Sequence, residues 1–336
     1  MKRFMVIITF GPALREQFEN LSCVKYSQFE FFFRLNGAHV EPQQVQEYVD
    51  ELRDHFEDPR ILMDLPGSKL RTAGLTENIP FKAGVPFEFK YTNTNYPESL
   101  TSLKPGVTLT THDSRYHFRI IETGPDSVIL LPNISGSMEN GKGIHVRGAR
   151  LGIPFISEKD RALAEEAIRL RLWGLDFSYV RSLEDIDAAT SLAGSHPIRI
   201  IPKIETAEAM ENLQAILART PLALVDRGDL AGEIGLENIP AAQSTIIEMA
   251  HWNSTAVVLA TQFFTSMVNN PLPLIAELND CHNCIRHGIS GIQLSEETAI
   301  GQHVLKVLDV LDTLVKSAKP GMASETWIRE HSQWLG

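Results

Sequence analysis

The chain has 336 residues, 43% hydrophobic and 22% charged, enough to bury a large core as one big domain with a smaller one beside it. Its formal net charge of -11 lacks the basic surplus with which a nucleic-acid binder displaces counterions, so nucleic acid is not an expected partner. Three cysteines make no disulfide framework, the opening MKRFMVIITFGPA is too short an apolar run for a secretory signal, and no run reaches the roughly 20 apolar residues of a membrane span; a cytoplasmic location without membrane contact is expected.

In chain order, apolar runs of strand length occur at 4–10 (FMVIITF), 29–36 (FEFFFRLN), 60–65 (RILMDL), 177–181 (FSYVR), 198–205 (IRIIPKIE), 222–226 (LALVD), 256–262 (AVVLATQ) and 291–295 (GIQLS). Helical patterns follow them at 13–21, 41–57, 157–173, 182–193, 206–218, 238–252, 273–288 and 302–318, the third only after residue 150. Eight alternations predict an α/β protein built on a (β/α)8 TIM barrel, whose strands are covered on both sides and therefore read as apolar runs. Between the third strand and the third helix, GVPFEFKYT, GVTLTTHD, YHFRIIETG, SVILLPN and GIHVRG alternate with turn residues, the pattern of a small antiparallel β-barrel inserted after the third strand. The barrel is assigned to residues 1–72 and 149–320, the inserted domain to 73–148 and a tail to 321–336. The tail carries Trp327 and Trp334 and is read as a barrel cap or a contact of a homo-oligomer.

Active sites of such barrels lie at the C-terminal strand ends. The fifth run ends in Lys203-Ile204-Glu205, where residues two apart project to one side and bring a cation and a carboxylate into the same mouth. The sixth supplies Asp226, Arg227 and Asp229, so Glu205 and one of these aspartates can hold a hard divalent cation. Lys203 and Arg227 add positive charge toward an anionic substrate, an arrangement suited to phosphoryl transfer. Each signal alone has a plainer reading, an ion pair for Lys-x-Glu and a turn for Arg-Gly-Asp; their shared rim carries the case. An adhesion role for Arg227-Gly228-Asp229, like glycosylation at Asn133 or Asn253, would need an extracellular protein.

The ordered pieces ITFGPA, RLNGAH, MDLPGSKLRT, GKGIHVRG, ISEKD, IPKIET, DRGDLAGEIG, ATQFFTSM and LSEETAIG resemble the pyruvate kinase family over nearly the whole chain. The resemblance implies transfer of a phosphoryl group from phosphoenolpyruvate to ADP, giving pyruvate and ATP, with Mg2+ or Mn2+. It implies that Glu205 and Asp229 bind the metal, that Lys203 and Arg34 act on the migrating phosphoryl group, and that Thr261 and Ser295 supply hydroxyls of the substrate site and proton relay. Arg227 and Gly228 would line the pocket through their backbone. Asn36, His39, Arg71 and Lys142 match nucleotide-side positions, with Lys142 on a β domain that closes as a lid. A metal-dependent lyase or other 2-oxo-acid enzyme, using the same metal with a different acceptor, is the alternative, and a non-catalytic sensor a third reading that the intact Lys203, Glu205, Asp229 and Thr261 set disfavours.

Several positions depart from the family. Gly37-Ala38 lack a serine oxygen that helps hold a monovalent cation, and Leu65 follows Asp64 where potassium-dependent members carry threonine. Lys69 matches the lysine of potassium-independent members, whose ammonium replaces the K+ charge, so activity without potassium is implied. Glu296, Ile300 and Asp226 also differ, and they bear more on the acceptor than on the metal site. The family's C-terminal regulatory domain has no counterpart here, so no sugar-phosphate activation through it is expected. Two motifs are set aside. Gly136 to Lys142 fits G-x4-G-K, but Gly143 and a β-like stretch follow it; Cys281 and Cys284 have CxxC spacing without a second pair and read as part of a helical core, with Cys23 as a buried small hydrophobe.

Overall fold

Phe4–Thr9 (β1) and Phe29–Asn36 (β2) are rich in Ile and Phe, residues that fit a pleated surface, and Ile61–Leu65 (β3) is apolar but for Asp64, as suits strands covered on both sides. Gly174–Phe177, Arg199–Ile204, Leu222–Asp226, Ala256–Ala260 and Gly291–Leu294 join them in a closed parallel barrel of eight strands, with Met5 opposite Gly291 where the circle closes. The computed structural model of the protein describes residues 3–23, 26–112 and 114–318; the side chain of Cys23 and the tail tryptophans Trp327 and Trp334 lie outside it. Alternate side chains divide the barrel's surroundings in two. Ile7, Phe32, Leu62, Ile201, Leu224 and Val258 fill the interior, while Val6, Ile8, Phe33, Met63, Val225 and Leu259 face the helices.

Between β3 and Gly174–Phe177 the chain forms seven short strands: Ile79–Phe81 (β4), Phe87–Lys90 (β5), Thr108–Thr111 (β6), Tyr116–Thr123 (β7), Ser127–Pro132 (β8), Gly136–Met138 (β9) and Ile144–Arg147 (β10). The barrel strands that follow are therefore β11 to β15. Strands β5 to β8 and β10 make one antiparallel sheet in the order β10-β6-β7-β8-β5, and β4 pairs with β9 in a separate ribbon. The expected small barrel is thus an open sheet plus a ribbon, wrapped around one core in which Phe81 and Met138 of the ribbon meet Phe89, Phe118 and Leu130 of the sheet. A bulge between Ile120 and Glu122 bends β7, and Pro80 sits in the short ribbon where ladder bonds are few.

The helices are Pro12–Arg15 (α1), Phe18–Cys23 (α2), Val45–His55 (α3), Glu158–Arg169 (α4), Leu183–Ala193 (α5), Ala207–Glu211 (α6), Leu213–Arg219 (α7), Arg227–Ile234 (α8), Ile239–Asn253 (α9), Ile275–Arg286 (α10), Glu296–Ala299 (α11) and Val304–Ser317 (α12). Ser157 and Asp160 form a capping box that starts α4, which ends before Arg171 turns left-handed (φ 55°). Two expectations are corrected. The fourth strand is Gly174–Phe177 rather than 177–181, which leaves Ser178 and Tyr179 in the mouth, and α8 is an additional helix that starts at the Arg-Gly-Asp tripeptide. Among the described residues no helix is long and apolar enough to cross a membrane.

Candidate active site

Lys203, on β12, is buried where four strand ends converge. Its ammonium donates to Ser178 Oγ at 3.0 Å and lies 3.1 Å from Glu205 Oε2, 3.6 Å from Asp64 Oδ1 and 3.9 Å from Asp226 Oδ2. Burial alone would loosen its proton, but these carboxylates more than reverse that effect and hold the lysine charged. Asp64 is shared with Arg34, whose Nε donates to Asp64 Oδ2 at 2.7 Å and whose Nη1 donates to Thr9 Oγ1 at 2.9 Å. Burial opposes the Asp64 charge, yet Lys203 and Arg34 hold its carboxyl below the usual carboxylate range.

Glu205, Asp226 and Asp229 bring one carboxylate oxygen each to within 4.8 Å of one another. Glu205 is fully buried; its Oε1 accepts from the Tyr179 backbone N–H at 2.8 Å. Its Oε2 is close to Lys203 but off the hydrogen-bonding line, so that buried oxygen has no donor. Burial, with the charges of Asp229 and Asp226, pushes the Glu205 carboxyl up to about 8. Asp229 goes the other way: burial is outweighed by an ion pair with Lys69 and by His145, 3.5 Å away, which hold it well below the usual carboxylate range. Three converging carboxylates, one with an orphaned buried oxygen, are a donor set that fits a hard divalent cation.

Asp226 has another task. Its Oδ1 accepts from the backbone N–H groups of Gly228 at 3.1 Å and Asp229 at 3.3 Å, the N-cap of α8. Thr261 accepts the Gly228 N–H on its Oγ1 at 3.0 Å, and both Thr261 and Gln262 are left-handed, with φ 67° and 57°. Such backbone is costly for non-glycine residues and has to be held by its surroundings. Arg227 holds it: Nε and Nη2 donate to the Thr261 carbonyl at 3.1 and 2.6 Å, and Nη1 donates to Asp280 at 2.6 Å, with the guanidinium stacked 4.0 Å from the Phe263 ring centroid. Arg227 is therefore not a free cation of the mouth, a correction to the sequence reading: its charge is spent on Asp280 and a carbonyl.

Beside this centre a cavity of about 420 Å³ is lined by Lys69, Arg71, His112, Arg115, Lys142 and His145, with Gly141 and Gly143. Arg71 donates to the Gly141 carbonyl at 3.3 Å, and Lys142 pairs with Glu139 at 3.2 Å. Among the described residues no carboxylate pairs with Arg71 or Arg115. A larger cavity, about 1100 Å³, opens at the opposite end of the barrel among Arg53, Arg60, Trp173 and Arg199, away from the converging carboxylates.

A sequence model described as pyruvate kinase, barrel domain, matches residues 1–308. The chain belongs to the pyruvate kinase family. A pyruvate kinase of Thermotoga maritima is 32% identical over 85% of this chain, which spans 65% of that relative's length. One of Methanocaldococcus jannaschii is 27% identical over 95% of the chain and 70% of its own length. A pyruvate kinase crystal structure from Cryptosporidium parvum shares the fold with a TM-score of 0.88 at 24% identity, covering 99% of this chain and 72% of that one.

Of the positions matched to the pyruvate kinase pattern, Lys203, Glu205, Asp229, Arg34 and Asp64 form one connected cluster, and Gly228 and Thr261 adjoin it through hydrogen bonds to Asp226. Ser295 lies at the end of β15, its N–H held by the buried Glu297 at 2.8 Å. Arg71 and Lys142 share the basic cavity, whereas Asn36, the last residue of β2, and the exposed His39 on the loop after it do not line it. Lys69 pairs with Asp229, not Asp64. Glu296 and Ile300 are exposed. Cys281 and Cys284 are buried in α10, with burial pushing the Cys284 thiol up to about 12, and Gly136 begins β9 rather than a phosphate loop.

Four residues of the site were missed. Ser178 bridges Lys203 and Asp64, and Tyr179 presents its N–H to Glu205 from a left-handed backbone (φ 58°); both were hidden inside a misplaced strand. Asp176, fully buried and in register with Asp64, has no partner for either oxygen. Burial, then the Asp64 charge, pushes its carboxyl up to about 8. His145 touches Asp229 across the fold, a contact with no local signal.

Proposed function

We propose that the protein transfers the phosphoryl group of phosphoenolpyruvate to ADP, releasing pyruvate and ATP. The observation that carries this reading is the junction of two unlike sites: an acidic centre with a buried charged lysine, and, next to it, a cavity lined by basic side chains. The first suits an enol phosphate and its divalent metal, and the second suits the diphosphate of the acceptor. A lyase acting on a 2-oxo acid would share the acidic centre but has no use for the cationic cavity.

In this reading Glu205 and Asp229 hold Mg2+ or Mn2+. When bound, the metal neutralises charge on the carboxylate and enol oxygens of the substrate. Lys203, kept charged by its carboxylate neighbours, and Arg34, fixed in orientation by Asp64 and Thr9, stabilise the phosphoryl group as its bond to the enol oxygen breaks and a bond to the acceptor phosphate forms. The backbone at Gly228, beside Thr261 whose carbonyl Arg227 holds, lines the place of the substrate carboxylate, and Thr261 with Ser295 serves the proton delivered to the enolate carbon. The inserted sheet acts as a lid, bringing Arg115 and Lys142 over the nucleotide phosphates beside Arg71, and it excludes water as acceptor. Lys69 takes the place of a monovalent cation by pairing with Asp229.

The reading is tested by following pyruvate release from phosphoenolpyruvate with ADP and Mg2+ or Mn2+, with Lys203→Ala as control. Metal-dependent release that the substitution abolishes is expected. Release at the level of the Lys203→Ala control under every metal and nucleotide would remove the proposal.

A further inference from the structure

Helix α8 is two turns long, yet it carries Asp229 in its first turn and is capped at its start by Asp226. So short a helix has little stability of its own, and its C-terminal end is only partly satisfied locally: the Ala231 carbonyl accepts from the Gly235 N–H at 3.0 Å and the Ile234 carbonyl from Asn238 Nδ2 at 2.7 Å. The inserted sheet adds further partners and supplies those of the Gly232 carbonyl. Arg147 on β10 donates from Nε to the Gly232 carbonyl at 2.8 Å and from Nη2 to the Ala231 carbonyl at 2.9 Å, and Thr110 on β6 adds a bond to the Gly232 carbonyl at 3.3 Å. A cation at this end also matches the negative pole of the helix.

His145 lies two residues before Arg147 and so projects from the same face of β10. It is buried, with Nδ1 3.1 Å from Glu233 Oε1 and Nε2 3.5 Å from Asp229 Oδ1. A Cβ on Gly232 would stand 2.4 Å from its ring, so the sheet reaches α8 this closely only because that position is glycine. One strand therefore grips both turns of the helix, the second through Arg147 and the first through His145.

We infer that Arg147 is a positioning residue: by capping the C-terminal carbonyls of α8 it fixes the helix that presents Asp229, so docking of the inserted sheet and assembly of the metal-holding carboxylates are one event. The link to the metal rests on the proposed role of Asp229; the capping does not. When the sheet moves away, α8 keeps the Asp226 cap and the local bonds from Gly235 and Asn238 but loses those from Arg147 and Thr110, which leaves the Gly232 carbonyl bare, and its second turn loosens toward Asp229.

Two readouts on the intact protein decide this: hydrogen exchange of the α8 amides, and Mn2+ binding followed by electron paramagnetic resonance without substrate. Arg147→Ala removes two charge-assisted hydrogen bonds, so exchange at residues 230–235 should speed by about tenfold or more and Mn2+ binding should weaken in parallel. Arg147→Gln, which keeps a donor and most of the volume, should fall between the two and carries the test if the alanine variant does not fold. Unchanged α8 exchange in a folded variant overturns the inference, and so does faster exchange with wild-type Mn2+ affinity. Wild-type protein that binds no Mn2+ would instead refute the metal role of Asp229, and with it the coupling, while the exchange readout still decides the capping.

Discussion

Asp176 lies in the barrel interior, fully buried, opposite Asp64 on the neighbouring strand and without a hydrogen-bond partner for either oxygen. Its carboxyl is raised from 3.8 to about 8, first by burial and then by the Asp64 charge. At neutral pH the folded protein keeps this proton and the unfolded chain does not, so unfolding releases it and stability falls as pH rises. The contribution is complete below pH 4 and is lost progressively up to about pH 8; at 1.36 kcal/mol per pH unit the full span is on the order of 5 kcal/mol. Glu205, also raised to about 8, adds its own fall over the same window, so the test is a difference. Asp176→Asn is close in shape and carries no charge at any pH. In urea unfolding between pH 5 and 8.5, the variant should gain on the wild type steadily as pH rises, by several kcal/mol at the upper end. A gap between the two proteins that stays constant across that range would refute the reasoning, since it would mean that Asp176 does not carry a proton into the fold.

Arg115→Ala, at the basic cavity, should raise the KM for ADP by about tenfold and leave that for phosphoenolpyruvate unchanged; equal effects on both would count against a phosphate role. Exchanging Na+ for K+ should leave the rate unchanged, because Lys69 already supplies a cation at Asp229. A strong rise with K+ contradicts this. At Gly37 a Cβ would stand 2.4 Å from the Asp64 carbonyl oxygen, so Gly37→Ala should cost about 1–3 kcal/mol in a denaturant melt; an unshifted midpoint would show that the loop yields freely.

Seven of the eight barrel strands are legible as apolar runs because parallel strands buried on both sides have no polar face. The eighth is not, because Asp176 interrupts Gly174–Phe177 while the neighbouring Phe177-Ser178-Tyr179-Val180 imitates a strand. Helix α8 escapes for a different reason: Arg227-Gly-Asp-Leu-Ala-Gly-Glu-Ile234 has two glycines and no clear apolar stripe, and its caps come from Asp226 and from Arg147 far along the chain. The ribbon of β4 and β9 is too short to read, which is why the inserted segment looked like a single barrel. At the site, residue spacing anticipates that Lys203 and Glu205 meet, because the first lies on β12 and the second directly follows its end. It cannot give the direction of Arg227, whose guanidinium is drawn from the mouth by Asp280 and the Thr261 carbonyl. Nor can it give the contact of His145 with Asp229, which exists only once the inserted sheet has docked.

The central claim is that phosphoenolpyruvate gives its phosphoryl group to a nucleotide held under the basic lid. Phosphorus NMR of the protein with phosphoenolpyruvate, ADP and Mg2+ tests it directly. Loss of the enol phosphate signal matched by growth of the γ-phosphate of ATP is the expected result. Growth of inorganic phosphate in its place, or an unchanged enol phosphate signal, would contradict the claim.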